Sequence, residues 1–263
     1  MKKSTRRKFL FGTLTLAGAG AVAWFNKNSI LRWLVLKNSN DGLKLNPAPL
    51  LGEDLCVLTS SQTEGPFFIA SPFRKDIRED RKGKEMNLKM QILRMPDCNP
   101  IEGAVVEIWH CDAEGVYSGY PAEIAHDIWE TLNLIGAKEG NVAPTNETRF
   151  LRGAQRTDAN GVVEFLTIFP GWYDPRMPHI HFKVLIDEKE LLTSQFYFER
   201  EFFDKLYVSV EPYSKFGKSP FHIQNDGVLG EGDTDELDGL VLNPIWNDDL
   251  PLEASAKIGL KQT

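Results

Sequence analysis

Cysteine is scarce in this chain. Cys56, Cys98 and Cys111 are the only three in 263 residues, with no C-x-x-C pair and no Cys/His run of zinc spacing. That excludes a cysteine-built zinc site and suits an exported protein with at most one disulfide. Cys98 and Cys111 flank a stretch, Ala104 to His110, that alternates like a strand, so they sit near its opposite ends and do not pair. A bridge from Cys56 to one of them is left open. Acidic residues are missing from positions 1–40, which carry eight Lys and Arg and no Asp or Glu. The remaining residues hold 22 Lys and Arg against 37 Asp and Glu, a balance of −15. So acidic a body does not track nucleic acid or anionic lipid by charge, because both are polyanions. A small molecule is the expected partner. Internal repeats and a second linker are also absent, and the length suffices for one substantial core without requiring two.

The basic N-terminus has an order of its own. Paired Arg6 and Arg7, then Lys8, Phe9 and Leu10, precede an apolar run rich in Gly and Ala. It resembles a twin-arginine export signal, whose machinery moves proteins already folded, often because a cofactor is loaded inside the cell. A plain secretory signal is the alternative, as is an uncleaved membrane tether. Ala21-Val22-Ala23 offers an A-x-A cleavage site, yet NSILRWLVLKNS beyond it is apolar in places. The organisation expected is an export signal or anchor over residues 1–37, a polar Pro-containing linker over 38–52 and one domain over 53–263, with a periplasmic or extracellular location.

Within the domain, β signals dominate. NLKMQILRM, GAVVEIWHC, GVVEFLTIF, HIHFKVLI, SQFYFER and GLVLNPIW mostly alternate apolar and polar residues and are rich in Val, Ile, Phe and Tyr. Turn clusters such as PDCNPIEG, DANG and PGWYDP separate them. Only AEIAHDIWETLNLI and REFFDKLY have helical spacing. The fold expected is mainly β: an antiparallel β-sandwich with long loops and one or two short helices. Non-catalytic transthyretin-like sandwich modules that bind a ligand share this rhythm, so the framework alone implies no chemistry.

The side chains hung on it are more specific. Two of the five histidines, His179 and His181, are two residues apart, and in a strand such residues point to one face, where they can share a metal. No carboxylate completes a two-His-one-carboxylate ferrous site, since Asp174 reads equally as a turn former. Tyr173 precedes the pair, and Tyr117, with Tyr120 as its rival, closes the turn DAEGVYSGY after the strand that ends at His110. Phenolate is a hard, strongly donating anion. Two tyrosinates with two neutral imidazoles imply ferric iron rather than zinc or ferrous iron.

Four separated stretches, in order, carry a resemblance: TEGPFF at Thr63 to Phe68, EIWHCDAEGVYS at Glu107 to Ser118, RGAQRTDANGVVEFLTIFPGWY at Arg152 to Tyr173, and RMPHIHFKV at Arg176 to Val184; SQFYF at Ser194 to Phe198 follows. Together they resemble the intradiol ring-cleavage dioxygenases, the family of catechol and protocatechuate 3,4-dioxygenases. The resemblance implies one non-haem Fe(III) per chain, with Tyr117 and His179 as equatorial ligands and Tyr173 and His181 as the axial pair. It gives Arg176 the stabilisation of the substrate as charge develops, places Gln195 beside the iron pocket, and makes Gly65 and Pro66 part of the loop lining the substrate cavity. The activity implied is insertion of both atoms of O2 into a small aromatic diol, cleaving the ring between its two hydroxyls to a cis,cis-muconate-type diacid. Tyr173 would leave the metal to act as an internal base. Such an enzyme belongs to aromatic compound catabolism; a homodimer is left open.

One departure bears on the substrate. Only DPRMP separates Tyr173 from His179, whereas the well-known cytoplasmic enzymes have a longer segment there. The shortening removes residues that wall the pocket and fits an exported branch with an open site. Arg152 or Arg156 offers a cation for a substrate carboxylate, although a solvated strand residue is the commoner reading of either.

Overall fold

Strand β1, Glu85–Arg94, shows how alternation becomes a core: Met86, Leu88, Met90 and Ile92 are fully buried, and the residues between them are half-buried. The computed structural model describes residues 48–51, 56–120, 142–229, 237–246 and 248–261. The segment expected to direct export, residues 1–37, and the helix expected over AEIAHDIWETLNLI lie outside them. All described residues belong to one compact unit, 44–263.

Next come β2 (Asn99–Pro100), β3 (Val105–Trp109), β4 (Arg152–Arg156), β5 (Val162–Ile168), β6 (Ile180–Ile186) and β7 (Lys189–Phe198). Helix α1 (Arg200–Ser209), a 3-10 turn at Tyr213–Lys215, β8 (Val241–Leu242) and β9 (Leu252–Leu260) complete the order. In one sheet β1 pairs with β2, β5 and β9; the other runs β4-β3-β6-β7-β8. The two sheets share one core, where Leu88, Met90 and Phe165 of the first join Val106, Ile108, Phe182 and Val184 of the second. This is the sandwich expected. Among the named strands, pairing is antiparallel except between β1 and β9 and between β7 and β8.

The sequence reading missed β9. Its residues LEASAKIGL alternate, but Ala, Ser, Lys and Gly have little β preference of their own. Here pairing decides, because β9 runs beside β1 from Met86↔Leu252 to Arg94↔Leu260. GLVLNPIW, expected as a full strand, supplies only the two residues of β8 and an isolated bridge at Ile245. REFFDKLY falls within α1, as its spacing predicts, and buries Phe203, Leu206 and Tyr207. Tyr207 and Tyr213 then donate from their hydroxyls to Pro170 O (2.8 Å) and Phe169 O (2.6 Å), bracing the chain that leads to Tyr173.

Cys56 bonds to Cys98, with a Cα–Cα distance of 6.2 Å, and Cys111 stays buried and free. The bridge spans 42 positions of sequence. In the loop-entropy view, closing so long a loop contributes roughly 2–4 kcal/mol. Cys56→Ser is expected to lower the urea midpoint accordingly; an unchanged midpoint would show that the bridge constrains little.

Candidate metal centre

The site grows from one row across the second sheet. Register sets Arg152 opposite Trp109, Trp109 opposite His181, and His181 opposite Gln195. Directly paired residues point to the same face, and here it is the face away from the shared core. Trp109 stacks on the His181 ring, with centroids 5.0 Å and planes 6° apart. His179 stands one residue ahead of β6 and keeps the two-residue phase of His181, its ring 4.8 Å away. The strand expected over HIHFKVLI thus begins at Ile180, after the first histidine.

Two loops bring in the phenols. After β3, Asp112 Oδ1 accepts from the backbone N–H groups of Glu114 (2.9 Å) and Val116 (3.0 Å), closing a turn that ends at Tyr117. Gly115 adopts φ +84° in that turn, and a Cβ there would lie 2.7 Å from Trp172 O. Gly171 N–H donates to Asp112 O at 3.0 Å. The turn and the segment carrying Tyr173 are therefore packed backbone to backbone. Tyr173 in turn is held by a reciprocal pair with Arg176, N–H to O at 3.2 and 2.5 Å.

The result is convergence. Tyr117 Oη lies 3.1 Å and Tyr173 Oη 3.4 Å from His179 Nε2. All four predicted donors, Tyr117, Tyr173, His179 and His181, are buried. Tyr120 is also buried but donates its hydroxyl to Val142 O at 2.6 Å, which separates it from its rival Tyr117. Asp174 sits in the turn between Tyr173 and Arg176, and among the described residues no three His, Cys, Asp or Glu side chains gather at a metal-sized spacing.

Electrostatics fit a metal that takes N and O donors. His179 Nδ1 donates to Met177 O at 2.7 Å, so its Nε2 lone pair faces the phenols. His181 Nδ1 is buried and has no hydrogen-bond partner among the described residues. Burial first, and then the nearby Arg176 guanidinium, holds both imidazoles well below the usual histidine range, in the neutral form a metal requires. Burial raises both phenols, Tyr173 to about 12 against the pull of Arg176. The apo pocket therefore keeps both protonated, and a strongly charged cation would have to displace those protons on binding. The donor set fits ferric iron: two phenols that become hard anions and two neutral imidazoles on one buried focus.

Arg176 and Gln195 meet beside this focus, with Arg176 Nη2 donating to Gln195 Oε1 at 2.6 Å and Gln195 Nε2 to Thr63 O at 3.0 Å. Gly65, at φ +72°, approaches so closely that a Cβ would stand 3.2 Å from His181 Cε1. Pro66 follows and accepts from Val142 N–H at 2.8 Å. Phe67 packs on Tyr117 at 4.8 Å, and Lys183, paired with Glu64, lies 3.9 Å over the Phe68 ring. The TEGPFF stretch is thus a strap across the site face. Arg152 is not solvated. It is fully buried and donates to Ser118 Oγ (2.7 Å) and Ser118 O (2.9 Å), which pins the residue after Tyr117. Arg156 is exposed. The sequence reading missed Asp226, which lies fifty positions from its partner Arg176 in a stretch whose Asp-Gly pair signals only a turn.

His110, by contrast, is a satisfied core histidine: Nδ1 donates to Cys111 O and Nε2 accepts from the Thr167 hydroxyl, both at 2.7 Å. Burial lowers its pKa to about 4. The unfolded chain therefore binds this proton first as pH falls. Stability from the neutral ring is complete above about pH 6.5 and is lost as pH drops through 4. The loss should reach about 3 kcal/mol, read as the difference between wild type and His110→Asn in urea midpoints at pH 7 and pH 4. Parallel pH profiles would overturn the assignment.

Comparison with known proteins agrees with this geometry. A family model described as Dioxygenase matches residues 64–212, more than half of the chain and the whole donor set. The chain belongs to the intradiol dioxygenase family. It is 27% identical over 165 residues to catechol 1,2-dioxygenase 1 of Acinetobacter lwoffii, covering 54% of this chain and 46% of that protein. Against a chlorocatechol 1,2-dioxygenase of Rhodococcus opacus the figures are 26% over 150 residues, 54% and 56%. The chain thus spans about half the length of the curated relatives it matches. An intradiol ring-cleavage dioxygenase structure from Tetranychus urticae superposes with a TM-score of 0.65 at 29% identity, covering 78% of this chain and 95% of that one.

Proposed function

We propose that this family member is a non-haem Fe(III)-dependent enzyme that cleaves a catechol-type ring between its two hydroxyls with O2, giving a cis,cis-muconate-type diacid. The observation that carries the reading is the approach of both phenol oxygens to His179 Nε2, at 3.1 and 3.4 Å, with the His181 ring alongside. Tyr117, Tyr173, His179 and His181 would hold the iron, which when bound supplies Lewis acidity toward the two diol oxygens.

The chain's own groups divide the remaining work. With its own proton displaced by a bound cation, Tyr173 Oη would serve as the general base for one substrate hydroxyl, since burial gives it a high proton affinity. Arg176 and Gln195, already joined to each other, present fixed donors to negative charge that develops on the ring. Gly65 brings the strap against the His181 ring, and Pro66 follows it as part of the substrate-pocket wall. The Cys56–Cys98 bridge supports an oxidising compartment and hence the exported reading, periplasmic or extracellular.

The test is oxygen uptake by the iron-loaded protein over a panel of substituted catechols. One O2 consumed per catechol, a muconate-type product and a burgundy ferric-tyrosinate colour are expected. A colourless, iron-free protein after folding with ferric salt would sink the proposal, as would zinc-supported hydrolysis that needs no oxygen.

A further inference from the structure

The proposed chemistry uses Arg176 and Gln195 and leaves one buried charge beside them without a role. Asp226 has no exposed surface. Its Oδ1 accepts from Arg176 Nε at 2.9 Å and from the backbone N–H groups of Val228 (2.9 Å) and Leu229 (3.2 Å). Its Oδ2 accepts from the same Arg176 Nε at 3.0 Å and from Met177 N–H at 2.8 Å. The carboxylate is therefore fixed from both sides, by its own loop and by the turn that carries Arg176. Gly227 N–H donates to Pro175 O at 2.8 Å and seats that loop on the same turn. Asp226 thus supports the short DPRMP segment from a distant part of the chain.

The guanidinium is planar, so fixing Nε fixes the direction of both remaining nitrogens. With Nε held by Asp226, Nη2 reaches Gln195 Oε1 at 2.6 Å, and Gln195 passes the contact on to Thr63 O at 3.0 Å. Thr63 stands two residues before Gly65, at the strap that meets His181. One chain of contacts, Asp226 to Arg176 to Gln195 to Thr63, therefore aligns the donors over the donor set from four segments of sequence. Donors assist a reaction when their orientation is set before charge develops. A long side chain without an anchor would have to be ordered at each turnover.

We infer that Asp226 is the positioning residue of this site, holding the Arg176 guanidinium in the orientation that presents its outer edge to Gln195 and to the reacting ring. The inference rests on the ring-cleavage reading of the site. It assigns Asp226 an effect on turnover exerted through Arg176, and no contact with substrate or metal.

A kinetic cycle on the iron-loaded protein tests it, with catechol as the probe and Asp226→Asn, Arg176→Gln and the double variant compared with wild type. Asp226→Asn should lower kcat by about 10²-fold while KM stays within about threefold. Its iron content and the intensity of its visible charge-transfer band should be retained. In the Arg176→Gln background, the Asp226→Asn change should cost less than about threefold, because the group it positions is gone. If kcat for Asp226→Asn stays within threefold of wild type, the inference fails. It fails equally if the two losses multiply in the double variant, or if the loss of turnover tracks a proportional loss of iron. Should Asp226→Asn not fold, Asp226→Glu keeps the charge and shifts the carboxylate by one methylene. Glu should reduce kcat by about tenfold with iron bound, since small misplacements are costly; unchanged turnover there overturns the inference. A wild-type protein that cleaves no catechol defeats the functional reading itself, whereas active wild type with indifferent Asp226 variants defeats the positioning role alone.

Discussion

Tyr117→Phe and His179→Ala are expected to give folded protein that retains little iron, has no burgundy colour and cleaves catechols at least ~10²-fold more slowly. Removing the Tyr117 hydroxyl leaves a ring of nearly the same shape, still packed on Phe67 at 4.8 Å and edge-on to Tyr173 at 5.8 Å. The fold therefore has little reason to change, and what disappears is one of two hard anionic donors. His179→Ala removes the nitrogen toward which both phenols point, and it frees Met177 O of its partner. Tyr120→Phe is the control. Among the described residues it loses the bond to Val142 O, costs about 1 kcal/mol and keeps its colour. Iron per chain by elemental analysis and the visible spectrum after loading decide the matter together. If Tyr117→Phe keeps full iron while Tyr120→Phe loses it, the donor set is wrong.

That control also shows where sequence stops being informative. Two histidines two residues apart share a face by strand geometry alone, so His179 and His181 are legible as a pair from their spacing. Choosing between Tyr117 and Tyr120 is a different problem. It turns on the Asx-type closure at Asp112, the positive φ of Gly115 and the seating of that turn against Trp172 O, none of which has a periodicity. The alternating strands β1, β3 and β5 were legible because each buries mainly one face, and β6, buried on both faces, was legible from its β-branched and aromatic residues. Strand β9 was not, since its small residues state no preference and its partner β1 lies far back in sequence. Arg152 misled in the opposite direction: it reads as a solvated strand cation, yet the register places it in the row of His181 and buries it. Asp226 gave no signal at all, because its role exists only once a distant loop has folded onto the DPRMP turn.

The same pair gives the largest expected effect on stability. Arg176 and Asp226 are buried, with side-chain exposures of 5% and 0%, and joined at 2.9 Å. Burial, the largest single influence, disfavours the guanidinium charge, but the Asp226 carboxylate together with Tyr173, Tyr197 and Tyr117 outweighs it and keeps Arg176 charged well above its usual range. A pair of this kind is costly to desolvate and yields little net gain over apolar replacement, whereas breaking it leaves a lone charge with no water to solvate it. Arg176→Met should therefore destabilise the protein by about 3–5 kcal/mol. Asp226 would keep its three backbone donors, from Met177, Val228 and Leu229, which places the cost toward the lower end of that span. Arg176→Met with Asp226→Asn removes both charges, and its one amide oxygen can still accept from Val228 and Leu229 N–H although the amide NH2 then faces Met177 N–H, so it should recover part of the loss. Urea unfolding of the four proteins at one pH measures the coupling directly. A double variant whose loss equals or exceeds the sum of its singles' losses would mean that the ion pair adds nothing to the packing of the loop on the turn.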